Sequence, residues 1–421
     1  MRLLRLGRTT FCMRAQITLY CLFIGRIAIE GDREGNREGF IVNTAYITAT
    51  GTYLPGEPVS NNEMVDHLGR IDDQSERLGR LILRQNKIQT RYYVEREGAA
   101  YRETNADLAA NAAKALLLKS GINADEIDLL ATATTQGDLI VPGHASAVHA
   151  ALAKQTTMGA LEVASFQSVC ASSIMATKAA ALNIQAGQMT RTLAIGSEFS
   201  SRWFQPGFYQ YVDIFDDKET RMAAEFLRWT LSDGAGAILL EDKPSNQHQS
   251  FRIDWINLVS LADRFDTCMY AGINPADQFS LKQPWSHYQG GPANATQEGA
   301  IMLLQDMALL KRIIRAWVGE YLSCIDEGKI NPDNVDHLLC HYSAHSLREE
   351  IISILKTTGG MIDEEKWFTN LSTKGNTGAA ALFIMLDEFA EKQIAKPGDK
   401  VLCIVPESGR AMVGFIMLTA Q

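Results

Sequence analysis

Leu161–Gly187 reads LEVASFQSVCASSIMATKAAALNIQAG, and this stretch decides the fold. Val163–Val169 has strand character. Ala171–Gln185 is mostly small and apolar with Lys178 its one charge, and Gly187 offers a helix stop. A strand that runs into so uncharged a helix predicts a helix buried between sheets rather than one lying on a surface. Cys170 stands at the bend, at the mouth of that helix. Free N–H groups and the dipole at a helix N-terminus favour a thiolate and lower a thiol pKa from its usual value of about 8.5, so an activated thiol is expected here. The small residues Ala171, Ser172 and Ser173 allow a substrate close approach.

A lone cysteine among apolar residues serves equally well as inert core. Two distant segments favour chemistry instead. Asp336–Leu347, DHLLCHYSAHSL, is an apolar run that delivers His341 at its end, and Leu371–Ala380, LSTKGNTGAA, sets Asn376 at the start of a second small-residue helix. A cysteine, a histidine and an asparagine far apart in the chain are the footprint of nucleophilic thiol catalysis, whose partners meet in space. Cys340 precedes His341 in an apolar strand, so its side chain points the other way and reads as core. His345, four residues on, is the rival to His341. His144 and His149 belong to no such constellation and read as structural.

Five pieces in order carry a resemblance: ATTQGDLIVPGHASAVHAAL from Ala133, SVCASS around Cys170, LSDGAGAILLE from Leu231, DHLLCHYSAHS around His341 and GNTGAAALFIMLDEF from Gly375. From Asn43 onward the chain resembles the thiolase superfamily, and within it the beta-ketoacyl-acyl-carrier-protein synthases of the third type. The resemblance implies an α/β class, with a five-layered α-β-α-β-α duplicated fold. It implies Cys170 as acyl-accepting nucleophile, His341 and Asn376 as its catalytic partners, and the backbone N–H groups of Cys170 and Gly409 as the oxyanion site. The implied reaction is a decarboxylative Claisen-type condensation of an acyl thioester, of coenzyme A or acyl carrier protein, with a malonyl- or beta-ketoacyl-carrier thioester. The implied setting is fatty-acid or specialised lipid and polyketide assembly by a cytoplasmic homodimer without a cofactor.

The family shows Gln-Ala-Asn after its histidine, where this chain has Tyr342, Ser343 and Ala344, and its glycine-rich C-terminal turn appears here as Glu407-Ser408-Gly409-Arg410. A degradative thiolase brings a second cysteine to that turn, and none is present. Relatives with a catalytic Glu upstream of the nucleophile have it where this chain has Val141. Two other classes stand as alternatives: a silent partner subunit of a heterodimeric ketosynthase, which would be expected to lose Cys170, and a papain-like hydrolase, whose Cys-Gly-Ser-Cys-Trp signature is missing.

A chain of 421 residues buries a large core and predicts two domains or one duplicated domain. The net charge of −9 argues against a nucleic-acid partner, which needs a basic surface. Seven cysteines (12, 21, 170, 268, 324, 340, 403) have no Cys-x-x-Cys pairing, so neither a metal site nor a disulfide framework is expected, and a reducing compartment fits. Residues 1–40 read as an extension outside the fold, with an apolar run too short to span a membrane. Residues 41–245 read as a first half carrying Cys170, and 246–421 as a second carrying His341 and Asn376, with the polar segment Asp242–Gln249 between them. A repeat supports the division: each half presents a functional residue, then a small-residue helix, then a strand (LAIG at Leu193, VLCIV at Val401).

Along the first half, Asn105–Ser120 predicts a helix stopped by Gly121, and Ile127–Thr134 a buried strand. Gln85–Tyr93 is basic and aromatic, and Arg84, Lys87 and Arg91 are the candidate rim for coenzyme A phosphates or an acidic carrier. Phe204–Trp229 has no clear period and reads as a capping excursion over an acyl tunnel. Ile301–Tyr321 predicts a long amphipathic helix.

Overall fold

The computed structural model describes residues 43–277 and 284–421; the proposed extension at 1–40, with Cys12 and Cys21, lies outside them. Ten strands form the main sheet. The first five are β1 (Tyr46–Tyr53), β2 (Leu129–Thr134), β3 (Glu162–Gln167), β4 (Arg191–Glu198) and β5 (Gly234–Glu241). The other five are β6 (Phe251–Ser260), β7 (His337–Cys340), β8 (Trp367–Phe368), β9 (Lys400–Glu407) and β10 (Met412–Ala420). Their spatial order is β8-β7-β9-β10-β6-β1-β5-β4-β2-β3. Read outward from the centre, the first half runs β1, β5, β4, β2, β3 and the second β6, β10, β9, β7, β8, so the same topology occurs twice. Among the described strands of the main sheet, the halves pair through β1 and β6, antiparallel at Tyr46↔Arg252 and Ile47↔Phe251.

Helices complete the layers. Inside, α4 (Ser172–Gln185) and α8 (Ala381–Glu391) each touch strands of both halves. Outside, α2 (Asn105–Ser120) and α3 (His144–Ala153) cover the first half, and α6 (Met307–Asp326) and α7 (His345–Thr358) the second. The three largest apolar clusters follow the layers: a central one around Ile174, Phe383 and Phe389 and two outer ones, around Leu116 and around Ile314. The arrangement is the five-layered α-β-α-β-α expected. Cys340 packs in the outer cluster of the second half, away from the central layer.

Local chemistry sets the boundaries. Thr104 Oγ1 accepts from the Asp107 N–H (3.1 Å) while the Thr104 N–H donates to Asp107 Oδ2 (2.9 Å), and Gly121 ends α2 at φ 71°. The long helix α6 begins six residues later than its sequence suggests. Asp306 accepts from the N–H groups of Ala308 (2.9 Å) and Leu309 (2.8 Å), and Leu304–Gln305 before it pairs with Met269–Tyr270 as a ribbon. The excursion at Phe204–Trp229 holds an eleven-residue helix, α5 (Lys218–Arg228). Its period is hidden because the buried face carries charge. Arg221 is held by Asp72 (2.8 Å), Arg228 by the Phe204 carbonyl (3.1 Å), and Glu225 accepts from Trp229 Nε1 (2.6 Å). One further helix, α1 (Asp73–Asn86), lies against α5 and α7.

Close backbone approach fixes where the inner helices sit. A Cβ at Gly196 on β4 would lie 2.4 Å from the carbonyl oxygen of Ala379, and one at Gly414 on β10 would lie 2.7 Å from Ile174 Cγ1. Gly196→Val therefore drives the turn carrying Asn376 off the sheet and destabilises by about 1–3 kcal/mol, read as a lower unfolding midpoint in denaturant. Gly319→Ala in α6, where an added Cβ meets nothing within 4 Å, moves the midpoint the other way by roughly 0.5–1 kcal/mol.

Candidate active site

Three loops converge. The Cys170 loop follows β3, the His341 loop follows β7, and Asn376 opens the turn into α8. Cys170 Sγ and His341 Nε2 lie 3.1 Å apart. Asn376 Oδ1 accepts the Gly378 N–H at 3.0 Å, which leaves its Nδ2 amide for the cavity. Cys170 and Asn376 line one cavity of about 410 Å³. Its walls are apolar at Val169, Phe226, Leu227, Leu231, Met269 and Leu303, and polar at Gln136, Gln167, Ser343 and Ser408.

The pair is buried, and burial favours its neutral forms. Burial holds the His341 imidazole down to about 4. Burial, then the carboxyls of Glu407 and Glu198, push the Cys170 thiol well above its usual range. This corrects the expectation of a thiol lowered by the helix terminus. The helix starts at Ser172 with Ala171 as its cap, and the N–H groups of these two residues are already engaged. Ala171 N–H donates to Glu407 Oε2 (3.0 Å) and Ser172 N–H to the Val169 carbonyl (3.2 Å). His341 Nε2 stands within hydrogen-bond reach of the sulfur as a proton acceptor.

His345 leaves the contest with His341, since its Nε2 faces Glu349 on α7 at 3.2 Å and is part-exposed. His144 is buried against Ser197 Oγ (3.0 Å) and His149 binds the Gly159 carbonyl (2.9 Å). Gly409 packs on the nucleophile loop, where an added Cβ would stand 2.9 Å from Val169 Cγ2. The basic rim divides. Arg84 and Lys87 are exposed, with Lys87 beside Glu349 (3.4 Å). Arg91 is fully buried and donates to Asn61 Oδ1 (2.9 Å), so it offers no charge at the surface. Among the described residues no cluster of His, Cys, Asp or Glu is placed to hold a metal ion, and no helix is long and apolar enough to cross a membrane.

Two buried carboxyls escaped the sequence reading. Glu407 binds Ser168 Oγ (2.5 Å) as well as the Ala171 N–H, bracketing the nucleophile from both sides. Glu198, at the end of β4, lines the cavity. The one available signal was an acidic residue closing each of two apolar strands, RTLAIGSE and KVLCIVPE.

The fold is similar to that of the thiolase superfamily. The model of the thiolase N-terminal domain matches residues 89–204, and that of the C-terminal part of 3-oxoacyl-acyl-carrier-protein synthase III matches 325–417. Within the superfamily the chain is beta-ketoacyl-acyl-carrier-protein synthase III-like. It is 26% identical to the beta-ketoacyl-acyl-carrier-protein synthase III of Porphyra purpurea over 363 residues, which cover 85% of this chain and 94% of that one. The crystal structure of 3-oxoacyl-acyl-carrier-protein synthase III from Aquifex aeolicus superposes with a TM-score of 0.64 at 20% identity, covering 89% of this chain and 99% of that one. AbyA1, a tetronic acid condensing enzyme, superposes with a TM-score of 0.68 at 19% identity, covering 89% and 100%.

Removing the charge of Glu407 relieves the thiolate of a repelling neighbour. Glu407→Gln is expected to shift the pH profile of Cys170 alkylation by iodoacetamide to lower pH and to raise the rate at pH 7 on the order of tenfold. Glu407→Asp, which keeps the charge, stays near the wild-type profile. A Gln variant whose profile does not move removes Glu407 from the electrostatics of the sulfur.

Proposed function

We propose that the protein is a condensing acyltransferase that works through an acyl-Cys170 intermediate. The observation that carries the reading is the 3.1 Å contact between Cys170 Sγ and His341 Nε2 at the wall of an apolar-sided cavity. In the first half-reaction Sγ attacks an acyl thioester of coenzyme A or a carrier protein as His341 takes its proton, the donor's C–S bond breaks, and His341 returns the proton to the departing thiol. The N–H groups of Cys170 and Gly409 hold the tetrahedral oxyanion, and the acyl chain lies along Phe226, Leu227 and Leu303. In the second, a malonyl thioester that loses CO2, or a beta-ketoacyl thioester, is held as its enolate. His341 and the Asn376 amide, both hydrogen-bond donors when neutral, grip the enolate oxygen, and the enolate carbon attacks the acyl group. Lipid or polyketide assembly is the setting that the names of the relatives support.

Arg84 and Lys87 serve as a rim for the phosphates of the substrate arm, since Lys87 sits beside α7, the helix that follows Ser343 of the cavity wall. A homodimer in the cytoplasm completes the reading. β3 is a sheet edge with Val163 exposed, and Leu139, Ile140 and Val141 are exposed in the loop after β2, a surface suited to a second copy. A silent partner subunit is disfavoured by the intact Cys170–His341 pair.

Intact-protein mass spectrometry after incubation with a panel of acyl thioesters tests the intermediate. The wild type gains the acyl mass and Cys170→Ser does not; an equal gain on both removes Cys170 from the reaction. His341→Ala lowers condensation about 100- to 1000-fold, the scale of losing one oxyanion donor. Charges at Ile140 and Val141 (I140D with V141D) are expected to give a monomer by light scattering, and a dimer that survives them moves the interface elsewhere.

A further inference from the structure

Acyl transfer as described has no use for Glu198, yet this residue is built into the cavity with some care. It is 4% exposed and shares the wall with Cys170 and Asn376. All its hydrogen bonds fall on one oxygen: Thr135 Oγ1 (2.6 Å), the Thr135 N–H (3.0 Å) and the Ala379 N–H (3.1 Å) donate to Oε1. Gly378 closes over the same oxygen, since a Cβ there would stand 2.9 Å from it. No donor among the described residues reaches Oε2. The carboxyl is thus fixed in direction by one oxygen and leaves the other free on the wall of the cavity.

The cavity also lacks a counter-charge for an anionic substrate. Its described lining contains no Lys, Arg or His. Arg202, whose charge does reach Glu198, is committed to Asp138 Oδ1 (2.8 Å) and the carbonyls of Gln136 (2.7 Å) and Gly137 (3.1 Å). His341 is neutral, and Glu407 places a second buried carboxyl behind the nucleophile. A malonyl carboxylate entering here would be desolvated beside like charge.

We propose that Glu198 is a catalytic base and that the second substrate is a thioester without a free carboxylate, of the beta-ketoacyl class, condensed without loss of CO2. The inference rests on the acyl-Cys170 reading and selects between its two donors. The Cα–H bond between the donor's carbonyls breaks, the proton passes to Glu198 Oε2, and the electron pair becomes the enolate held by Asn376 and His341. The enolate carbon then bonds to the acyl carbon, the C–S bond to Cys170 breaks, and the sulfur leaves as thiolate. One proton taken up by Sγ and one given back by Glu198 close the cycle. Burial raises the Glu198 carboxyl to about 7, so near neutral pH both of its protonation states are populated, as a general base requires.

The acyl-enzyme is formed first and verified by mass, then challenged separately with malonyl-CoA and a 3-oxoacyl-CoA. The wild type is expected to discharge onto the 3-oxoacyl donor at least about tenfold faster, without CO2, at a rate that rises as pH passes through about 7. Glu198→Gln still takes the acyl group but discharges on the order of 100-fold more slowly, and its pH dependence through that range is lost. Glu198→Asp recovers part of the rate. A wild type that consumes malonyl-CoA with matching CO2 and leaves the 3-oxoacyl donor untouched overturns the proposal, as does a Gln variant that discharges at the wild-type rate. If the Gln variant fails to acylate, the wild-type donor comparison alone decides. A wild type that never gains acyl mass refutes the acyl-Cys170 reading itself, and does so before any donor is added.

Discussion

The contact between Cys170 and His341 joins side chains 171 positions apart, one from each half of the chain. Neither half can make it alone. The sulfur is presented by the loop entering α4 and the imidazole by the end of β7, and the two meet because α4 and α8 are pressed between the halves. That pressing is a matter of backbone distance. Gly196 and Gly414 stand where the inner helices touch the sheets, and any side chain would hold the layers apart. A β1–β6 seam of two residue pairs adds little cohesion, so the halves are held chiefly by the apolar central layer.

The same burial that makes the layer cohesive sets the chemistry. Burial leaves the thiol, the imidazole and two carboxyls to set one another's charges, and neutral forms win for the sulfur and the ring. A site of this kind does not store a thiolate. In the proposed reaction one is generated when the substrate carbonyl arrives and His341 accepts the proton, which keeps a buried cysteine from reacting with casual electrophiles. Glu407 reinforces that restraint, because it occupies the Ala171 N–H and sets a carboxyl beside the nucleophile turn.

Much of this was legible in the chain. The run from Leu161 to Gly187, the helix Asn105–Ser120 stopped by Gly121, and the repeat of functional residue, small-residue helix and strand all follow from local pattern, and local pattern is what a sequence carries best. The hidden parts depend on partners distant in the chain. Arg91 sits in a basic stretch that reads as a surface rim, yet its guanidinium is folded inward on Asn61. The helix Lys218–Arg228 buries Arg221, Glu225 and Arg228, so its apolar period is masked by ion pairs and carbonyl contacts made across the fold. The activated thiol was a sound inference from a helix terminus, and it fails because Glu407, 236 residues away, already occupies the Ala171 N–H.

Glu198 and Glu407 also show how the duplication bears on the site. They close β4 and β9, which hold equivalent places in the two halves, and each reaches the N-terminal turn of an inner helix: Glu198 that of α8 at Ala379, Glu407 that of α4 at Ala171. Each carboxyl therefore crosses to the helix of the opposite half. One physical device, a strand-end carboxyl on the N–H groups of the facing helix, occurs twice and ties the layers together at the cavity. The copies then differ in what remains free. Glu407 uses both oxygens on Ser168 and Ala171, while Glu198 gathers its donors on Oε1 and leaves Oε2 open. A structural pair needs no such asymmetry, and it is the difference between the two copies that marks Glu198 as the one with a further task.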